Sequence, residues 1–251
     1  MNSNKLEGKV ALVAGGSRNL GQKICYALAR DQAKIIVHYN RASSKKDAEE
    51  TVEYIRKHGG TACAMRADLT KVTETVRLFQ EAEQQYAGLD IAINTAGMVL
   101  KKPIVETSEA EFDEIFSVNS KAAFFFIREA AKRLRDGGKI VSIATSLLAA
   151  FTGYYSTYAG SKAPLEHFTR AAAKELGSRG ISVNCVAPGP LDTPFFYPVE
   201  SPEAIAYHKS ASMNGKLGDV NDIAPIVAFL VTDGHWITGQ ILFANGGYTT
   251  R

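Results

Sequence analysis

Short runs of β-branched and other apolar residues alternate along the chain with longer segments whose apolar side chains recur every three or four positions. The runs Val10 to Ala14, Ile35 to Tyr39, Ala62 to Arg66, Ile91 to Asn94, Ile140 to Ile143, Val183 to Ala187 and Ile241 to Ala244 predict buried strands. The segments between them predict helices: the first carries Leu20, Ile24, Ala27 and Leu28 at helical spacing, and the third, from about Thr73 to Tyr86, carries Val76, Phe79 and Ala82 on one stripe. Strand and helix alternating from end to end predict an α/β fold, a doubly wound parallel sheet with helices on both faces and right-handed crossovers. Ligands bind such sheets at the carboxyl ends of their strands. The alternation stops between Pro188 and about Gly218, where the composition turns to Pro, Phe, Tyr and Ser; this predicts an insertion packed over the ligand site.

Composition narrows the class without choosing the chemistry. At 251 residues, with 45% hydrophobic and 22% charged content, the chain is expected to be a single domain spanning 1–251. A net charge of +3, scattered along the chain, gives no basis for nucleic acid as a partner. The N-terminal Met1 to Gly8 has no apolar signal core, and no stretch reaches the roughly 18 apolar residues of a membrane span, so a cytoplasmic protein with no membrane partner is expected. Cys25, Cys63 and Cys185 lie among apolar neighbours without C-x-x-C spacing, which predicts reduced core residues and no metal site.

Candidate chemistry begins with Tyr158 and Lys162 in Thr157-Tyr158-Ala159-Gly160-Ser161-Lys162, since a spacing of four places a phenol and an ammonium on one helical face. Free tyrosine ionises near pH 10, so the expectation is that Lys162 lowers it towards a useful acid–base range. Pro164 removes one helical hydrogen bond and predicts a bend that starts after the pair. Thr145 and Ser146 end the strand-like run Lys139 to Ala144, thirteen and twelve residues before Tyr158, and either hydroxyl can reach the same site. At the other end of the chain, the first strand empties into Ala14-Gly15-Gly16-Ser17-Arg18-Asn19-Leu20-Gly21. Glycines there let the backbone approach a pyrophosphate at a helix N-terminus.

These motifs together resemble the short-chain dehydrogenase/reductase family of compact type, over nearly the whole length, and most resemble its 3-oxoacyl-acyl-carrier-protein reductase-like members. The resemblance implies a Rossmann-type fold. Gly15 and Gly21 match the family's glycine turn, with Ala14 in the Thr place and Asn19 replacing the middle glycine; Asn tolerates left-handed backbone angles. Asn94-Thr95-Ala96-Gly97 resembles the family's N-N-A-G, and Asp68 with Leu69 the turn that meets the adenine. Pro188-Gly189-Pro190-Leu191-Asp192-Thr193 resembles the turn whose Leu191 backbone and Thr193 hydroxyl hold the nicotinamide carboxamide. The resemblance implies a catalytic tetrad of Asn119, Thr145 or Ser146, Tyr158 and Lys162, with Lys162 gripping the nicotinamide ribose and Asn119 positioning a water.

Charge then selects the cofactor. The second strand ends in His38-Tyr39-Asn40-Arg41-Ala42-Ser43 with no carboxylate at the turn, so Arg41, Ser43 and Arg18 can receive a 2′-phosphate and NADP(H) is expected. The expected reaction is hydride transfer between NADPH and a ketone or β-ketoacyl carbonyl, with Tyr158 as acid; a small carbonyl or alcohol compound is the partner. Phe195, Phe196, Tyr197, Tyr154 and Tyr155 predict a mostly apolar mouth. An NAD-linked alcohol dehydrogenase of the same fold and a non-catalytic nucleotide sensor remain the alternatives. A hydrolase is disfavoured, since there is no G-x-S-x-G and His38, His58, His167, His208 and His235 sit outside the active-site motifs. The resemblance also implies a homotetramer, to which the multi-faced apolar helix around Ala122 to Phe126 adds support.

Overall fold

In β1 (Val10–Ala14), every residue is buried, and successive side chains leave opposite faces of the pleat. Ala11 and Val13 join one apolar cluster, while Val10, Leu12 and Ala14 join another. A strand buried on both faces needs a layer of helix on each side, and the remaining elements supply it. The computed structural model describes residues 4–250; Met1, Asn2 and Ser3, part of the N-terminal segment read for a signal, and Arg251 lie outside the described residues.

Six further strands follow: β2 (Lys34–Tyr39), β3 (Thr61–Arg66), β4 (Leu89–Asn94), β5 (Leu134–Ile143), β6 (Ser182–Pro188) and β7 (Ile241–Ala244). They form one parallel sheet in the order β3-β2-β1-β4-β5-β6-β7. On one face pack α1 (Asn19–Arg30), α2 (Lys45–Lys57) and the late α9 (Val220–Val231); on the other pack α3 (Val72–Gln85), α5 (Ala122–Arg133) and α7 (Pro164–Glu175). The short α4 (Glu109–Phe116) starts at a capping box between Ser108 and Glu111, and leads into α5 through a π-helical turn at Ser117–Lys121. The catalytic-helix candidate is α6 (Ser156–Lys162), and α8 (Pro202–Ser210) lies inside the segment after β6.

Two local expectations needed revision. The buried stripe of α3 is Thr75, Leu78, Phe79 and Ala82, with Val76 displaced to its margin. Strand β5 begins six residues before Ile140: Leu134 pairs with Leu89, and the register then shifts so that Ile91 meets Lys139. Asp136-Gly137-Gly138 reads as a turn in sequence, yet its backbone irregularity is absorbed inside the strand, where Arg135 reaches Asp90 at 3.2 Å.

The strand order reverses between β1 and β4, so the helices that follow these neighbours depart to opposite faces. A crevice opens at their carboxyl ends. The sequence motifs at Gly15, Gly97 and Gly189 all lie on this crevice.

Candidate active site

The crevice is a cavity of about 660 Å³ running from the end of β2 to the segment after β6. At its nucleotide end, Gly15 has φ +72, and an added side chain would bring Cβ to 2.7 Å from the Thr95 hydroxyl. A Cβ on Gly21 would stand 2.2 Å from the Gly15 carbonyl oxygen, so helix and turn touch where only hydrogen fits. Asn19 adopts φ +50, the left-handed geometry that its place in the motif demands. Arg18, at the N-cap of α1, offers no side-chain cap, which leaves first-turn N–H groups directed at the crevice. This cradle fits a pyrophosphate.

One residue that sequence reasoning set aside belongs here. His38 is buried and lines the cavity; its Nδ1 accepts from Gly15 N at 3.1 Å, and its Nε2 lies 2.9 Å from the Ala67 carbonyl. Burial lowers its pKa to about 4, so the ring is neutral and Nε2–H is the donor to Ala67. The expectation that all five histidines stand apart from the site is thus corrected for His38, and also for His208 at the far end of the same cavity. A histidine inside a strand run carries no signal of its own unless its turn partner is known.

Arg18 and Arg41 are exposed at this end, and neither pairs with a carboxylate among the described residues. Tyr39, Asn40, Ser43, Ser17 and Leu20 share the wall with them. Three expected cofactor residues do not reach it. Asp68 is engaged by Thr70 Oγ1 at 2.7 Å and by Lys71, Leu69 is buried in the core, and Asn94 holds Ala96 N at 3.0 Å. They shape the turns, whereas Ala96 and Gly97 form the surface.

The reactive centre forms where β5 ends against α6. Thr145 Oγ1 accepts from Leu147 N at 3.3 Å, and its hydroxyl sits beside the Tyr158 phenol, whose pKa it lowers. Ser146, the other candidate, donates to the Ala187 carbonyl at 3.0 Å and is committed to β6. Both residues line the cavity, and Thr145 is the one whose hydroxyl is set beside the phenol. Lys162 follows one turn after Tyr158 on α6, and Pro164 starts α7 beyond both, so the helical interruption leaves the pair intact.

The electrostatics differ from the simple expectation. Burial raises the Tyr158 pKa, and the opposing influence is Thr145, so the lowering expected from Lys162 is absent. Lys162 is itself buried, which lowers its pKa to about 8, and its Nζ donates to the Ile143 carbonyl at 2.8 Å. A Cβ on Gly97 would stand 3.1 Å from that Nζ. Asn119 lies behind the wall in the π-helical turn: Oδ1 accepts from Met98 N at 2.9 Å, and Nδ2 donates to Met98 O and Ser161 Oγ, each at 2.9 Å. It locks the loop after β4 to α6. What results is a protonated phenol, the state that a proton donor requires.

At the far end, Pro188, Gly189, Leu191 and Thr193 line the cavity, followed by Phe195, Phe196 and Val199. Tyr197 turns outward to Asp192 at 2.7 Å, and Tyr154 is exposed with φ +66, so neither contributes to the apolar mouth expected of them. The mouth also carries polar groups that composition did not reveal, from Tyr155, Glu200, His208 and Tyr248.

With this geometry in place, comparison with known proteins gives consistent matches. A family model described as enoyl-(acyl carrier protein) reductase matches residues 14–249. A short-chain type dehydrogenase/reductase of Picea abies is 39% identical, covering 96% of this chain and 93% of that protein. A dehydrogenase from Burkholderia cenocepacia, solved with bound NADP, is 54% identical with a TM-score of 0.96, covering 99% of this chain and 96% of its own. The angucycline C-6 ketoreductase LanV, also solved with NADP, is 34% identical with a TM-score of 0.91, covering 98% and 97%.

Proposed function

The chain belongs to the short-chain dehydrogenase/reductase family, and from that premise we propose that it is an NADPH-dependent reductase of ketones or β-ketoacyl compounds, with Tyr158 as the acid. The carrying observation is the half-buried phenol of Tyr158 on the cavity wall, beside Thr145 and one helical turn ahead of Lys162. Bound NADPH supplies the hydride. Gly15 to Gly21 receive the pyrophosphate through backbone N–H groups and the helix dipole. Arg18 and Arg41 meet the 2′-phosphate, which a carboxylate at that turn would have repelled. Leu191 and Thr193 orient the nicotinamide end, and Lys162 holds the ribose.

The hydroxyls of Thr145 and Tyr158 fix the substrate carbonyl oxygen, and Tyr158 transfers its proton as negative charge develops there. Asn119 keeps Lys162 and α6 in register through Ser161. The names of the relatives favour a ketone over a carbon–carbon double bond, since one solved neighbour is a ketoreductase. The setting is cytoplasmic, in keeping with three free cysteines, and the assembly is a homotetramer, in keeping with exposed Phe124, Phe112 and Trp236.

The test is turnover of a carbonyl panel, including ethyl acetoacetate and 1-tetralone, followed as NADPH consumption and repeated with NADH. Tyr158→Phe is expected to lose at least about 100-fold in kcat while retaining NADPH binding. A phenylalanine variant with most of its turnover, or a preference for NADH, contradicts the proposal.

A further inference from the structure

Segments distant in sequence meet at the far end of the substrate chamber, with Glu200 at their centre and its side chain 1% exposed. Oε1 accepts from the Tyr155 hydroxyl, and Oε2 accepts from Lys101 Nζ at 2.5 Å. His208 Nε2 stands 3.5 Å from the same Oε2, and His208 Nδ1 lies 3.0 Å from the Tyr248 hydroxyl. Tyr155, Glu200, His208 and Tyr248 front the cavity, while Lys101 stands behind with its ammonium 5.4 Å from the Tyr155 ring.

The positions of the protons decide what this cluster offers a ligand. Burial lowers the pKa of His208, so its ring is neutral, with one N–H and one lone pair. The N–H is on Nε2, because a lone pair there would face a carboxylate. Nδ1 therefore accepts, and the Tyr248 hydroxyl is its donor. The Tyr155 hydroxyl likewise donates to Glu200, and burial with that bond raises its pKa. The carboxylate and the two phenolic oxygens thus keep acceptor capacity and have no proton left to give. The side chains beside them from the segment after β6, Phe195, Phe196 and Val199, are apolar, so a donor on the ligand finds its partners in one place.

We propose that Glu200 is a specificity-determining residue, selecting carbonyl compounds that carry a hydroxyl group remote from the reacting carbon and donate it into this acceptor cluster. The assignment rests on the reductase reading and narrows its substrate class. A substrate hydroxyl that donates to the spare lone pairs of this desolvated carboxylate gains a charge-assisted hydrogen bond that the analogue lacking it cannot make.

The experiment compares ring-hydroxylated 1-tetralones with their methyl ethers, which keep the oxygen and lose the donor. In the wild type, kcat/KM for at least one hydroxylated isomer is expected to exceed that of its ether by at least about tenfold. In Glu200→Gln, and in the double variant Lys101→Met/Glu200→Leu that removes both charges together, that ratio is expected to fall to about twofold or less. Because it is a ratio, a general loosening of the segment after β6 cancels, and NADPH fluorescence on binding verifies that each variant is folded. A wild-type ratio near one, or a ratio preserved in both variants, overturns the assignment. So does a wild type that reduces ethyl acetoacetate but no hydroxylated tetralone, with the reductase reading left standing. If NADPH drives none of these reductions, the reductase reading fails and the specificity falls with it.

Discussion

The contrast between Thr145 and Ser146 shows how adjacent hydroxyls take different tasks. Thr145 reaches the phenol, whereas Ser146 is spent on Ala187. Thr145→Val, which keeps shape and removes the donor, is expected to lower kcat at least about 100-fold. Ser146→Ala is expected to keep kcat within about fivefold, under ~1 kcal/mol of barrier, and instead to lower stability by about 1–3 kcal/mol in denaturant melts. Equal kinetic losses in both variants would contradict the division. His38 carries a pH consequence. Its folded pKa of about 4 lies below the ordinary 6.5, so the unfolded chain binds the extra proton first. Stability is therefore full above about 6.5 and is lost as pH falls towards about 4, by about 3 kcal/mol in all. Relative to His38→Gln, wild-type melting should decline across that window and run parallel to it above pH 7; a constant difference would contradict this.

Elements were legible where periodicity and chemistry agreed. The seven strand runs, the glycine turn and the Tyr158–Lys162 helix could all be read from spacing, because each depends on local geometry. The early start of β5 could not, since Gly137 and Gly138 signal a turn and only the partner strand reveals a pairing across it. Nor could the π-helical turn at Ser117–Lys121, which has no distinctive residue pattern; it leaves Asn119 buried against Met98 and Ser161. The glycine turn tolerates one substitution and resists another. Asn19→Ala at φ +50 is expected to cost about 1–2 kcal/mol, and Asn19→Gly to be nearly neutral. Gly21→Ala places a methyl against the Gly15 carbonyl and is expected to weaken NADPH binding at least about tenfold in a fluorescence titration. Retained affinity in Gly21→Ala would show that the turn shifts freely.

At the scale of the whole molecule, the layered α/β plan was readable, but the polar end of the substrate chamber was not. Lys101, Tyr155, Glu200, His208 and Tyr248 lie up to 147 residues apart, and no local pattern joins Lys101 to Tyr248. Several large apolar residues are exposed in separate parts of the chain. Ile104 and Val105 are 73% and 89% exposed near α4, and Trp236 is 92% exposed after α9. Light scattering after gel filtration is expected to give four times the 27.1 kDa chain mass, and a monomer at micromolar concentration would contradict the tetramer.

The strand order bears on how the chain assembles as it leaves the ribosome. After β1 and β2 pair, β3 joins beside β2, β4 takes the vacant side of β1, and β5, β6 and β7 extend that side in turn. Every newcomer docks on a border still open, so no pairing already made has to be broken. The pyrophosphate cradle, complete once β4 has emerged, is built well before the residues that will act on the substrate have been synthesised.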